Sequence, residues 1–198
     1  MAGYSPERAH VTGSELVRNR KVYEAIIRSV RGIPVKVPLY ESNLFQLDPD
    51  DVRQKISPKT KLIIINSPNN PTGSVLSSEK IKSLYSLAEA SNIYLLSDEV
   101  YGRMIYSDSA SGFFSPSFID SCQEKTIITH SLSKTYSMTG WRIGWMVLPD
   151  DLVDPVEKLA QNLFISAPTP NQLAAVAAFD CTDELEKHCQ RYASNRDI

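Results

Sequence analysis

This 198-residue sequence has few cysteines, no long apolar run and no large excess of charge of either sign. The 3 cysteines (Cys122, Cys181 and Cys189) form neither a CxxC pair nor an even set, so we predict free thiols rather than disulfides or a metal site. No apolar run approaches the roughly 18 residues of a membrane span, and residues 1–20 lack the apolar segment of a secretion signal. We therefore predict a cytoplasmic protein that does not bind membranes.

The charge balance also excludes classes of partner. The chain carries 21 basic and 23 acidic residues, for a net charge of −2. This composition provides neither a polycationic surface for nucleic acid nor a basic run for anionic lipid. With 42% hydrophobic residues, the chain can still bury a substantial core. Small-molecule chemistry is the favoured class of function.

The periodicity of apolar residues predicts alternating helices and strands. Tyr23, Ile26, Ile27 and Val30 have the i, i+3, i+4, i+7 spacing of a helix that ends at Gly32. Further helices are predicted over residues 48–56, over the segment that follows Ser77 as N-cap, and over residues 154–165 and 169–196. Strands are predicted over residues 61–66, 93–98, 125–130 and 142–148, and residues 33–39 are predicted to be extended along a sheet edge.

The spacing of these strands predicts the topology of the sheet. Residues 61–98 contain a strand, a helix and a strand, the usual content of a parallel βαβ unit. The connection between the third and fourth strands is shorter than the dozen or so residues that a parallel crossover needs, so we predict that the fourth strand runs antiparallel. The predicted fold class is α/β, three αβα layers around a mostly parallel mixed sheet.

Polar residues follow three consecutive strands of this sheet. Asn70 comes after the first strand, Asp98 and Tyr101 after the second, and Lys134 after the third. Because the carboxyl ends of parallel strands meet at one edge, where ligands bind in such folds, we expect these side chains to share one crevice.

The chemistry of this group predicts one cofactor. A lysine amine can condense with an aldehyde, and a carboxylate can keep a pyridine nitrogen protonated. A phenol and an amide can donate hydrogen bonds to a ring oxygen. Ser131, Ser133 and Arg142, close to the lysine, can bind a phosphate. Pyridoxal 5′-phosphate has all of these features, and no metal site is predicted.

Three linked motifs carry a family resemblance. "SPNNPTG", "SDEVYGRMIY" and "SLSKTYSMTGWRIGW", followed by "VEKLAQNLFISAPTPNQLAAVAAFD", resemble the class I/II pyridoxal-phosphate-dependent aminotransferases of the aspartate aminotransferase type. The resemblance implies a large domain of the aspartate aminotransferase kind. It also implies the transfer of an amino group between an amino acid and a 2-oxo acid, within amino-acid metabolism.

The same resemblance implies roles for individual residues. Lys134 matches the Schiff-base lysine, Asp98 the partner of the pyridinium nitrogen, and Tyr101 a group that faces the ring oxygen, so these are the predicted catalytic residues. Val100 matches an apolar residue that packs under the ring. The residues implied to bind pyridoxal 5′-phosphate are Asn70, Asp98, Tyr101, Ser131, Ser133, Lys134 and Arg142.

The resemblance also divides the chain. Residues 1–20 are expected to be a divergent segment and residues 21–198 a partial cofactor-binding large domain, truncated at both ends relative to the family. The small C-terminal domain is expected to be absent. Members of the family imply a homodimer.

Simpler interpretations remain open beside these roles. A lone lysine after a strand is usually a solvated surface residue, and Glu99 is expected to be structural. His130, at a strand end, is expected to bond to backbone rather than carry protons. Two other functions stay open: another enzyme on the same cofactor, such as a carbon–sulfur lyase or an acyl-transferring synthase, and a catalytically silent fragment.

Overall fold

The computed structural model describes residues 15–106, 112–122 and 124–196, and these contain four strands in one sheet. The strands coincide with the short continuous apolar runs of the sequence, because a buried strand needs apolar side chains on its covered faces. They are ordered in the sheet as in the chain: β1 (Leu62–Asn66), β2 (Tyr94–Asp98), β3 (Thr126–Ser131) and β4 (Gly144–Val147).

The pairing of these strands confirms the predicted mixed sheet. β1 pairs with β2 and β2 with β3 in parallel, whereas β4 pairs with β3 in antiparallel orientation. In the parallel register Asn66 lies beside Asp98, and Asp98 lies beside Thr129. The ends of the three parallel strands therefore lie at the same edge of the sheet.

Helices connect and flank the strands, which gives the predicted α/β fold class. Ser77 caps α3 as predicted, since its side chain accepts a hydrogen bond from the Lys80 backbone N–H. The helices are α1 (Glu15–Ser29), α2 (Pro49–Arg53), α3 (Ser78–Ala90), α4 (Ser117–Asp120), α5 (Leu132–Thr135), α6 (Asp150–Leu163), α7 (Thr169–Ala178) and α8 (Thr182–Arg196).

The main hydrophobic core lies between α3 and the first two strands. Ile81 and Leu84 of α3 are buried with Ile63 and Ile65 of β1 and Leu95 of β2. A second, smaller cluster joins Leu132 of α5 to buried alanines of α7 and is described with the site below. The core therefore anchors the strands whose ends carry the predicted polar residues.

Two parts of the structure differ from the simplest expectation. Residues 33–39 pair with none of the four described strands, because Pro34 and Pro38 lack the backbone N–H that a sheet ladder requires. All four residues of β4 are exposed, although the sequence of that strand is apolar. Within the described ranges, no helix is long and apolar enough to cross a membrane.

Leu95→Ala should destabilise the chain strongly. Leu95 is fully buried at the centre of the sheet, and removing a buried leucine side chain typically costs about 2–5 kcal/mol through lost burial and the remaining cavity. The measurement is the free energy of unfolding in urea. Leu62→Ala, in β1 at a position that is 37% exposed, is the matched control and should cost clearly less. Equal losses would contradict this description of the core.

Candidate functional site

Asn66, the last residue of β1, fastens the first loop of the site to β2. Its side-chain amide donates to the Asp98 backbone carbonyl at 3.0 Å, and its side-chain oxygen accepts from the Asn70 backbone N–H at 3.0 Å. The turn "SPNNPTG" is therefore tied to the sheet by a side chain as well as by the chain itself. Asn70 is held beside the carboxyl end of β2.

A cavity of about 550 Å³ lies at this edge of the sheet. This volume is within the range of about 300–1,000 Å³ that is usual for small-molecule sites. Five predicted site residues line it, together with side chains from α1 and β3. The lining residues are Val22, Tyr23, Asn70, Asp98, Val100, Tyr101, Thr129, His130, Ser131 and Lys134.

Asn70, Tyr101 and Lys134 form one side of the cavity. The Asn70 side-chain amide donates to the Tyr101 hydroxyl oxygen at 3.0 Å, and the Lys134 Nζ lies 5.9 Å from the centre of the Tyr101 ring. Because the phenol oxygen acts as acceptor from Asn70, its own proton is left to donate into the cavity. An amine, a phenol and an amide thus stand together, as the sequence predicts.

The Asp98 carboxylate is held through both of its oxygens. Oδ2 accepts a hydrogen bond from the Tyr23 hydroxyl at 2.5 Å, and Oδ1 accepts one from the Val100 backbone N–H at 3.3 Å. Burial raises the pKa of Tyr23 above its ordinary value, and the hydrogen bond to Asp98 and the Asp98 charge raise it further. Tyr23 therefore remains a protonated donor to the carboxylate.

The residues predicted to bind phosphate are arranged less completely. Ser131 lines the cavity, but its hydroxyl donates to the Ile143 carbonyl at 3.1 Å and accepts from the Ser133 backbone N–H at 3.1 Å. The exposed Arg142 side chain donates to the Thr139 carbonyl at 2.9 Å. Neither Ser133 nor Arg142 lines the cavity, so their phosphate roles stay predictions.

His130 lines the cavity and bonds to backbone, as expected. Its Nδ1 accepts a hydrogen bond from the Ser131 N–H at 3.1 Å, and its ring stacks on Trp145 with 4.9 Å between ring centres and 3° between planes. Burial lowers the pKa of His130, and the charge of Arg103 lowers it further, against the opposing effect of the Asp98 charge. The ring is therefore a neutral wall of the cavity.

Three cavity residues, Val22, Tyr23 and Thr129, were not predicted from the sequence. Tyr23 occupies an apolar position of the helical spacing in α1, and this spacing predicts burial in a core equally well. No local signal distinguishes a tyrosine that packs from one that donates to a carboxylate 75 positions later. Thr129 lies two residues before the end of β3, outside the motif that begins at Ser131.

The described fold and this cavity define an α/β protein with a small-molecule site at the carboxyl edge of a mostly parallel sheet. The family model of aminotransferase class I and II matches residues 21–198 of the chain. The chain belongs to this aminotransferase family.

Individual relatives support the same assignment. The chain is 41% identical over 168 residues to an aspartate aminotransferase of Pyrococcus horikoshii, covering 83% of this chain and 42% of that protein. It is 39% identical over 157 residues to a probable aspartate/prephenate aminotransferase of Aquifex aeolicus, covering 79% and 39%. The structure of N-succinyldiaminopimelate aminotransferase from Mycobacterium tuberculosis matches with a TM-score of 0.82 and 32% identity, covering 88% and 46%. The chain thus spans less than half the length of these relatives.

Glu99, next to Asp98, is a buried acid that points away from the cavity lining. It is 3% exposed, and the Ser115 hydroxyl donates to its Oε1 at 2.8 Å. Burial raises the pKa of Glu99 from 4.5 to about 7; the Asp98 charge acts in the same direction, and hydrogen bonds from Ser115 and Ser97 oppose it. The expectation that Glu99 is structural agrees with this position.

The buried Glu99 should make stability fall as pH rises. Its pKa is higher in the fold than in the unfolded chain, so the fold binds the extra proton between about pH 4.5 and 7, and stability decreases across that window. At about 1.4 kcal/mol per pKa unit, the loss is roughly 3 kcal/mol. Glu99→Gln, which cannot ionise, should lose less stability between about pH 5 and pH 8 in urea unfolding. An unchanged difference would contradict the assignment.

Proposed function

We propose that this chain is the cofactor-binding core of a pyridoxal-phosphate-dependent aminotransferase, which transfers an amino group between an amino acid and a 2-oxo acid. The observation that carries the proposal is the meeting of Lys134, Asp98 and the Asn70–Tyr101 pair in one cavity. Membership of the aminotransferase family supports it independently. In a purely structural domain, strand order would still bring these strand ends together, but nothing would require them to carry an amine, a carboxylate, a phenol and an amide.

The groups in the cavity fit the cofactor ring. The Asp98 carboxylate, already fixed by two donors, is suited to accept a hydrogen bond from the protonated ring nitrogen. Tyr101 and Asn70 offer donors to the ring oxygen. Val100, which lies between Asp98 and Tyr101 in the chain, provides an apolar surface in the cavity. Ser131, with Ser133 and Arg142 nearby in the chain, is proposed to contact the phosphate.

Lys134 is proposed to hold the cofactor covalently and to move the reacting proton. When bound, pyridoxal phosphate supplies an aldehyde that takes up amino groups and a ring that withdraws electrons from the substrate. With the cofactor bound, the Lys134 amine would hold its aldehyde carbon covalently, with release of water. When it is not bonded to the cofactor, the same amine would accept the proton of the substrate α-carbon. Asp98 would keep the ring nitrogen protonated.

The substrates are proposed only as a class. The relatives are named for aspartate, aspartate/prephenate and N-succinyldiaminopimelate, so family membership does not select one amino donor.

A homodimer in the cytoplasm is also proposed. Large exposed apolar side chains in and after α6 and on α7 favour association: Leu159, Leu163, Phe164, Ile165, Leu173 and Val176.

Lys134→Ala should abolish covalent attachment of the cofactor. After the wild-type chain is incubated with pyridoxal phosphate and reduced with borohydride, mass spectrometry should show a pyridoxyl group on the peptide that contains Lys134. The variant should show no adduct on that peptide. Lys158→Ala, which removes an exposed lysine paired with Asp154 on α6, is the matched control and should retain the adduct. A folded wild-type chain without an adduct at position 134 would refute the proposal.

Asp98→Asn should reduce turnover more than it reduces cofactor binding. Asparagine cannot hold the ring nitrogen protonated, and loss of one such electrostatic contact typically lowers the rate about 100-fold or more. The measurements are 2-oxo acid formation and cofactor affinity by fluorescence titration. Asp151→Asn, which removes the charge of the acceptor of the Tyr94 hydroxyl at the far end of β2, should change neither by more than about twofold. Undiminished turnover in Asp98→Asn would exclude the role.

A further inference from the structure

Tyr23 connects helix α1 to the acid of the site. Its hydroxyl donates to Asp98 Oδ2 at 2.5 Å, although the two residues are 75 positions apart. Both residues line the cavity. The hydrogen bond therefore belongs to the site itself and is formed by a residue outside the three motifs.

The contact leaves the carboxylate free to bind a third donor. A carboxylate has about four acceptor positions on its two oxygens. Tyr23 uses one position on Oδ2, and the Val100 N–H uses one on Oδ1. A protonated ring nitrogen can thus bind Asp98 without displacing either donor, while the two existing bonds restrict rotation of the carboxylate.

We propose that Tyr23 is a positioning residue that holds the Asp98 carboxylate in the orientation in which it accepts a hydrogen bond from the protonated ring nitrogen of the cofactor. This inference rests on the proposed function. Tyr23 acts through Asp98 and is not itself a catalytic residue. Tyr23 therefore strengthens the binding only of ligands whose ring contains a protonated nitrogen.

A purely structural role for Tyr23 makes a different prediction. The apolar residues of α1 pack only partly, since Val22 is 52%, Ile26 58% and Val30 75% exposed. The phenol could therefore serve only to dock α1 on the sheet. In that case its loss would weaken every ligand of the cavity equally, whether or not the ligand has a ring nitrogen.

Two ligands separate these roles. The first is pyridoxal phosphate, and the second is its carbocyclic analogue, in which a C–H group replaces the ring nitrogen. With the full chain, Tyr23→Phe should weaken pyridoxal phosphate roughly 3- to 10-fold, the effect of one hydrogen bond. The affinity for the analogue should change by less than about twofold. Fluorescence titration measures both affinities without requiring turnover.

Tyr94→Phe is the matched control. The Tyr94 hydroxyl donates to Asp151 at 2.5 Å, the same distance as for Tyr23 and Asp98, but at the opposite end of β2. This variant should leave the affinity for both ligands within about twofold. Thermal unfolding of both variants shows whether either change has reduced the folded fraction.

The effect of Tyr23 should also depend on Asp98. In an Asp98→Asn background, Tyr23→Phe should cause no further loss of affinity for pyridoxal phosphate, because the acid on which it acts is gone. An equal loss for both ligands, an additive loss in the double variant, or no loss in Tyr23→Phe would overturn the inference. Failure of the wild-type chain to bind pyridoxal phosphate would instead overturn the proposed function.

Discussion

The parallel pairing of β1, β2 and β3 is the constraint on which the site depends. Since these strands run in one direction, the last residues of β1 and β2, Asn66 and Asp98, lie side by side, and Asp98 lies beside Thr129, two residues before the end of β3. The pairing continues past the end of β2, where the Glu99 N–H donates to the Thr129 carbonyl at 3.0 Å. Residues that are distant in sequence therefore lie at one rigid edge of the sheet, within reach of a single ligand.

The short helix α5 determines where the lysine lies. Leu132 is fully buried in the second core cluster, and Thr135, three positions later, is 3% exposed. One side of this turn is therefore held in the interior. Lys134 is consequently exposed and lines the cavity.

Gly144 permits β4 to lie close beside β3, because a Cβ at that position would lie 2.7 Å from the His130 carbonyl oxygen, closer than packing allows. The antiparallel β4 can therefore approach β3 just before α5 begins.

The sequence predicts most of the framework but only part of the site. Continuous apolar runs and connection lengths are local properties, so they predict the strands and the direction of β4. The placement of Asn70, Asp98 and Lys134 follows from strand order alone. Tyr23 could not be predicted, because its helical spacing is the same for a core residue. The orientation of the Arg142 side chain could not be predicted either, because the backbone of Arg142 has a φ of 54°, a value that an arginine does not indicate.

The two ends of the site are therefore built differently. The end proposed to hold the ring is formed by contacts between distant parts of the chain: Asn70 with Tyr101, 31 positions apart, and Tyr23 with Asp98, 75 positions apart. These bonds require the folded sheet, so this end is preorganised and forms only with the global fold. The end proposed to hold the phosphate consists of contacts within residues 131–143. If Ser131 and Arg142 bind phosphate as proposed, these contacts would have to rearrange locally, whereas the contacts at the other end would not.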